Sequence, residues 1–275
     1  MVEEFRERIR GVKSGFTVKY YTEMAQRFVN YVGEKDSYGP EDLARYMAYL
    51  ERKGYPLNTR IVHFYAIQCF YRVMGFNMGY VRAPRPEMPR PHVWSREEVM
   101  RLLRTVDKYG NAMERALLWL AAYTGARRIQ LLRLRVRDYD PRTGILHIPR
   151  TLKGDVDRSV QLPEHVKSRL YPWWARQYKE AGPNARLFPI SETKATLILR
   201  EYAKMAGVYR RRCGFHSFRR WLTTELYRAG LGLRELQDSL GWATPTMPMR
   251  YVHLLAGEVE SEFKKAHPLE KSRQA

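Results

Sequence analysis

The residues best suited to chemistry in this chain are two arginines, a histidine, a lysine and a tyrosine. They are Arg127, Lys153, His216, Arg219 and Tyr251. Guanidinium groups are planar, permanently charged donors that suit the oxygens of an anionic phosphodiester, so Arg127 and Arg219 are candidates to clamp one. A tyrosine hydroxyl, with a reference pKa of about 10, needs cationic or basic neighbours to ionise during attack, and His216 could serve as base or positioner. The set is suited to attack by Tyr251 on phosphorus.

Taken one at a time, these residues have ordinary structural explanations. Arg127 could be a solvated arginine at a helix end, and Lys153 a loop charge. His216 and Arg219 lie one helical turn apart and could face solvent or cap a helix. Tyr251 is one of 19 tyrosines and could be a half-buried packing residue. The functional interpretation therefore depends on their joint occurrence.

Five short stretches carry these residues in a fixed order. They are Thr124-Gly-Ala-Arg127, Lys153-Gly-Asp-Val-Asp-Arg158, His216-Ser-Phe-Arg219, Leu240-Gly-Trp242 and Tyr251-Val-His253. In this order and spacing they resemble the tyrosine recombinase and integrase family, to which the chain is similar from Ser95 to His253. The resemblance implies a site-specific DNA recombinase of the Xer type, acting through a covalent 3′-phosphotyrosine on Tyr251 and a Holliday junction. It also implies that Lys153, on a mobile hairpin, delivers the proton that the departing 5′-oxygen needs.

Two positions modify the family pattern. Trp242 stands where many members carry histidine, and its indole N–H can donate to a phosphate oxygen but cannot transfer a proton. Its role would be orientation, and the alternative is that it packs under the tyrosine segment. Gln130 replaces the carboxylate that usually buttresses Arg127, so one hydrogen bond is kept and a charge is lost. No acidic cluster for magnesium and no Walker-type glycine loop accompanies the motifs, which predicts chemistry without metal, ATP or another cofactor.

The composition indicates a polyanionic partner. Lys and Arg number 49 against 29 Asp and Glu, for a net charge of +20. The chain has no long apolar run, signal-peptide pattern or lipidation motif, so double-stranded DNA is favoured over a membrane surface. Cys69 and Cys213 lie far apart, outside any Cys/His cluster, which predicts neither a zinc site nor a disulfide and fits a cytoplasmic protein.

Four prolines between Val81 and Pro91 predict an extended connector between two domains. We expect a core-binding domain, all α and of the SAM-like type, over residues 1–82, and a linker over 83–94. A catalytic domain over 95–275 is expected to be mainly α with a small antiparallel sheet. Arg60, Tyr65 and Arg72, on a predicted helix of the first domain, suit contacts with the DNA backbone.

Apolar spacing and capping residues predict the individual elements. Helices are expected over Thr17–Tyr31, Asp42–Lys53, Thr59–Met74, Ser95–Val106 and Met113–Tyr123, strands over Ile145–Pro149 and Ser159–Leu162, and helices again from Glu192 onwards. The helix beginning at Met113 is apolar almost all round, which predicts a central position. The turn between the two strands, Arg150 to Arg158, carries Lys153.

The end of the chain suggests a mode of assembly. A short tail helix is predicted, because apolar residues fall at helical spacing before Pro268. They are Leu255, Val259, Phe263 and Ala266. Such a helix ordinarily docks on its own domain. The resemblance implies instead that it passes to the next protomer of a tetramer on synapsed DNA, formed by a protein that is monomeric or dimeric when free.

Two other functions are compatible with these residues. A type IB topoisomerase also uses two arginines, a lysine, a histidine and a tyrosine, but the compact N-terminal helical domain and the spacing from Trp242 to Tyr251 favour a recombinase. A catalytically inactive DNA-binding protein is disfavoured because every catalytic residue type is present. Resolution of chromosome dimers and integration of a mobile element both fit the sequence, with a slight preference for resolution because no additional arm-binding domain is evident.

Overall fold

The computed structural model describes residues 1–85, 92–151, 156–210 and 213–244. The chain divides into two compact units, Met1–Pro89 and Arg90–Ala275. The predicted domain limits and the linker over 83–94 remain predictions. Lys153, Tyr251 and the predicted tail helix lie outside the described residues. In the part of the chain that is described, no helix is long and apolar enough to cross a membrane.

The first unit is built from four helices. They are α1 (Val2–Ile9), α2 (Gly15–Val32), α3 (Pro40–Arg52) and α4 (Leu57–Met74). Their core is rich in aromatic rings, with Phe28 in edge contact with Tyr38, Tyr46, Phe70 and Tyr71. The prediction of three helices missed α1, which is highly charged, is eight residues long and buries only two side chains. Tertiary packing rather than intrinsic propensity stabilises so short a helix.

The three residues of α4 expected to face DNA have different environments. Tyr65 and Arg72 are exposed, which keeps them available for contact. The side chain of Arg60 is only 19% exposed and forms an ion pair with Glu51. Contact between Arg60 and a phosphate would therefore require this pair to open. The assignment of all three to DNA stays a prediction.

The second unit contains seven described helices around a small sheet. The helices are α5 (Arg96–Tyr109), α6 (Ala112–Thr124), α7 (Arg128–Arg133), α8 (Glu164–Ala181), α9 (Glu192–Met205), α10 (Phe215–Arg228) and α11 (Leu233–Leu240). The strands are β1 (Tyr139–Asp140), β2 (Ile145–Ile148) and β3 (Arg158–Gln161), antiparallel in the order β1-β2-β3. In the β2–β3 pair, Leu146 lies opposite Val160. The mainly α fold with a small antiparallel sheet is confirmed.

Helix α6 forms the centre of the second unit. Every side chain from Ala116 to Ala122 is buried, and the helix packs against α5, α8 and α10. A reciprocal capping box between Asn111 and Glu114 starts it. The predicted central position is therefore correct, because a helix apolar on all faces must be covered on all faces.

The longest helix of this unit, α8, was not predicted. Pro172 lies inside it, and an internal proline removes one backbone hydrogen bond, which argues against a helix from sequence alone. Packing compensates for the loss. Val166 and Leu170 are fully buried, and the indoles of Trp173 and Trp174 donate to the carbonyls of Leu187 and Val136. The strand β1 and helix α7 also went unpredicted, since two and six residues are too few to show a period.

Candidate active site

The Thr-Gly-Ala-Arg stretch forms the turn that ends α6. Gly125 adopts a left-handed conformation with φ 58°, which glycine tolerates without steric cost. A Cβ there would lie 3.0 Å from Leu240 Cδ2 and 3.1 Å from Leu222 Cδ2. The glycine thus permits both the turn and the close approach of α10 and α11. Thr124 strengthens the turn, since its hydroxyl donates to the Leu120 carbonyl and accepts from the Ala126 amide.

Arg219 joins three of the motif stretches at one point. Its residue is 1% exposed. One guanidinium nitrogen donates to the Gly125 carbonyl at 3.0 Å and the other to the Leu240 carbonyl at 2.7 Å. These carbonyls belong to the C-terminal ends of α6 and α11, which lack intrahelical partners and carry partial negative charge. A buried cation is well placed between them.

Trp242 lies directly against Arg219. The indole is 1% exposed, and the guanidinium carbon of Arg219 stands 4.6 Å from the ring centroid, within the range of a cation–π contact. Gly241, with φ 64°, turns the chain so that the indole folds back beneath the arginine. The indole therefore supports Arg219. Its predicted donation to a phosphate stays a prediction.

Arg127 and Gln130 open α7. The Gln130 side-chain oxygen accepts from the Arg127 backbone amide at 2.9 Å. The Gln130 side chain thus positions the backbone of Arg127 but, being neutral, does not balance the charge of its guanidinium. Gln130 is 1% exposed, and its side-chain nitrogen has no hydrogen-bond partner among the described residues. A carboxylate, which has no donor, would not bury an unsatisfied N–H at this position.

His216 lies in the first turn of α10, next to the arginines. Its pKa is lowered to about 4, by desolvation and then by the positive charges of Arg220, Arg219 and Arg127. Desolvation is the larger cause and the arginines add to it, so the imidazole is neutral at neutral pH. The positive end of the α10 dipole acts in the same direction. A neutral imidazole can accept a proton, as a general base must.

Arg158 also belongs to this cluster, although the sequence motifs do not single it out as a site residue. It is the first residue of β3, and its guanidinium donates to the carbonyls of Ser239 and Thr124. It lies close enough to Arg127 for that charge to affect its pKa. In the sequence motifs it is only the last residue of the stretch that begins at Lys153. No local signal marks it, because its partners Thr124 and Ser239 lie far from it along the chain.

The structure brings four of the six predicted site residues into one cluster. Arg127, His216 and Arg219 lie within electrostatic range of one another, and Trp242 stacks on Arg219. Lys153 and Tyr251 lie outside the described residues. The described part is thus a cluster of positive charge in which Arg219 is buried and Arg127 and His216 lie nearer to solvent. Such a cluster can attract an anionic diester.

Comparisons with known proteins agree with this chemistry. The phage integrase family matches residues 93–258. The chain is 24% identical over 268 residues to tyrosine recombinase XerA of Pyrococcus furiosus, covering 94% of this chain and 90% of that one. A post-cleavage complex of XerH bound to palindromic difH has a TM-score of 0.76 at 20% identity, covering 90% of this chain and 79% of that one. A lambda integrase tetramer bound to a Holliday junction has a TM-score of 0.71 at 15% identity, covering 90% and 75%.

The lowered pKa of His216 can be measured by NMR in the DNA-free protein. The imidazole should titrate well below the ordinary value of about 6.5, and Arg220→Gln should raise the pKa because a nearby positive charge is removed. The signal is identified by its loss in His216→Gln. Arg176→Gln, at an arginine paired with Glu180, is the control and should leave the titration unchanged. A His216 pKa at or above the ordinary value would contradict the assignment of a neutral base.

Proposed function

We propose, from the premise that the chain belongs to the phage integrase family, that Tyr251 attacks a DNA phosphodiester held by the arginine cluster. The chain is a site-specific tyrosine recombinase, an enzyme that cleaves and rejoins DNA strands. The observation that best supports the proposed site is the buried bridge made by Arg219, which bonds the ends of α6 and α11. Topoisomerase activity and an inactive DNA-binding role are not favoured.

In the proposed cleavage step, the Tyr251 oxygen forms a bond to phosphorus as the bond from phosphorus to the 5′-oxygen breaks. The tyrosine proton passes to neutral His216, and Lys153 protonates the leaving 5′-oxygen. Arg127 and Arg219 would stabilise the charge that develops on the non-bridging oxygens. For Arg219, which is 1% exposed, this requires the site to open. Rejoining is the reverse reaction with a new 5′-hydroxyl. Because the phosphotyrosine retains the energy of the phosphodiester, no ATP is consumed.

The proposed partner is double-stranded DNA, bound through its phosphates. The net charge of +20 supports this, since neutralising phosphates releases counterions and gives an affinity that falls steeply with salt. The similarity to XerH bound to difH and to the lambda integrase tetramer bound to a Holliday junction supports a tetramer on synapsed DNA. The similarity to XerA over most of both chains supports an Xer-like reaction.

We further propose that the tail helix binds a neighbouring protomer. The second unit has an apolar groove of about 330 Å³ between α5, α6, α10 and α11 that could receive it, lined among others by Met100, Leu103, Tyr123, Trp221, Leu222 and Leu226. The tail offers Leu255, Val259 and Phe263 at helical spacing, a pattern suited to helix-in-groove binding. Each protomer would then donate one tail and receive another, which closes into a ring.

Replacement of the nucleophile tests the proposed function directly. Tyr251→Phe should abolish the detergent-resistant covalent adduct with a nicked suicide substrate while leaving DNA affinity close to wild type, because only one hydroxyl is lost from a large cationic surface. Tyr209→Phe, in the same unit, is the control and should form the adduct normally. An adduct formed by Tyr251→Phe at the wild-type rate would assign the nucleophile elsewhere.

Proton donation by Lys153 can be separated from phosphate contact by changing the leaving group. Lys153→Ala should slow cleavage of ordinary DNA strongly, by about 100-fold or more. Most activity should return when the scissile 5′-oxygen is replaced by sulfur, since a thiolate leaves without a proton. Lys194→Ala controls for the loss of one positive charge. Equal defects on both substrates would make Lys153 a phosphate-binding residue instead.

The role of the tail can be tested by truncation after His253. The shortened protein should bind a single site almost as tightly as the full chain, because the basic surface remains, but should lose synapsis and strand exchange between paired sites. Leu226→Arg, within the groove, should have the same effect, while Leu197→Arg, at an apolar residue 53% exposed, should not. Full-rate recombination of paired sites by the truncated protein would refute binding in trans.

A further inference from the structure

Arg158 makes the same kind of bridge as Arg219. One nitrogen of its guanidinium donates to the Thr124 carbonyl at 2.6 Å, and the other donates to the Ser239 carbonyl. Arg219 bonds the next carbonyl along in each case, those of Gly125 and Leu240. Two arginines from different elements, β3 and α10, therefore hold the same pair of helix ends.

The backbone conformation of the two helix ends favours bonding to these arginines. Both α6 and α11 end at a glycine in the left-handed conformation, which directs the last carbonyls out of the helix. At Gly241 the absence of a side chain also makes room for Arg158, because a Cβ there would lie 3.0 Å from Arg158 Cδ and 3.4 Å from its Nε. A second hydrogen bond joins this part of the chain to the same helix end, since the amide of Val156, two residues before β3, donates to the Gly241 carbonyl.

The bridge brings a further positive charge towards the arginine that we assign to the phosphate. Burial, and then the charge of Arg127, lower the pKa of Arg158 to about 10. Arg158 therefore remains charged at neutral pH, although it stands close to another cation. The partial negative charge of the two helix ends offsets this repulsion.

We propose that Arg158 is a positioning residue for DNA cleavage. By clamping the end of α6 to the end of α11, it fixes the turn from which Arg127 projects. Arg158 would act through Arg127 rather than on the phosphate. This inference rests on the function proposed above and extends it to a residue outside the family's catalytic set.

Replacement of Arg158 by lysine or methionine distinguishes a role for the bridge between two carbonyls from a role for the positive charge alone. Lysine retains the charge but lacks the planar fork that reaches two carbonyls at once, and methionine approximates the length of the side chain without charge. If geometry matters, Arg158→Lys and Arg158→Met should both impair cleavage. If the charge alone matters, Arg158→Lys should be nearly as active as wild type.

The experiment measures three quantities for each full-length variant: the affinity for a cognate duplex, the single-turnover rate of adduct formation on a nicked suicide substrate, and the thermal midpoint. The adduct rate of both variants should fall on the order of 100-fold, the usual consequence of misplacing a catalytic group by about 1 Å. Affinity should stay close to wild type, at a temperature where the variants are folded by circular dichroism. Arg135→Met, which removes a bond to the Asn184 carbonyl, is the matched control.

A second variant decides the question if the arginine variants do not fold. Gly241→Ala keeps Arg158 but crowds its side chain, and its adduct rate should fall in the same way. Gly230→Ala controls for backbone strain, since Gly230 has φ +93° and a Cβ added to it would meet nothing within 4 Å. A wild-type protein that forms no adduct would overturn the proposed function itself. A wild-type adduct together with an unimpaired Arg158→Lys, or an unimpaired Gly241→Ala, would overturn only the role of Arg158.

Discussion

The cationic site depends on which groups donate hydrogen bonds to the carbonyls at the ends of two helices. Helices α6 and α11 both end at left-handed glycines, and four of their final carbonyls accept from Arg158 and Arg219. A buried carbonyl left without a partner costs about 1–3 kcal/mol and a buried charge costs more, so the helix ends and the arginines stabilise one another. The same bonds fix the positions of the two arginines to which we assign roles in catalysis.

Much of the chemistry follows from the crowding of positive charge. Burial and then the charge of Arg127 lower the pKa of Arg158, and desolvation followed by the charges of Arg220, Arg219 and Arg127 lowers the pKa of His216. The stack of Arg219 on Trp242 gives one cation an aromatic partner. In the DNA-free protein these charges repel one another. A bound phosphate would add negative charge among these cations, two of which are held in place by hydrogen bonds to backbone carbonyls. This is the kind of electrostatic preorganisation that stabilises a charged transition state without reorganisation during the reaction.

The same arrangement accounts for Gln130 and Trp242, the two positions at which this chain departs from the usual family pattern. Gln130 keeps the function of a cap, since its oxygen holds the Arg127 amide, and this needs an acceptor but no charge. Trp242 keeps the function of a support, because a flat ring against a guanidinium is available from an indole as it is from an imidazole. Neither role needs a charged side chain, which is consistent with a site whose positive charge is concentrated on its arginines.

The sequence by itself determined the family and the fold class, because these depend on residue types in a fixed order and on strong local periodicity. The central helix α6 and the strands β2 and β3 were predictable for that reason. Tertiary structure alone decided the existence of α8, in which packing around Val166 and Leu170 overrides the internal Pro172. It also decided the role of Arg158. Nothing local marks that arginine, since its partners Thr124 and Ser239 are distant along the chain. Their backbone carbonyls can accept from a guanidinium only after folding has brought the two helix ends together.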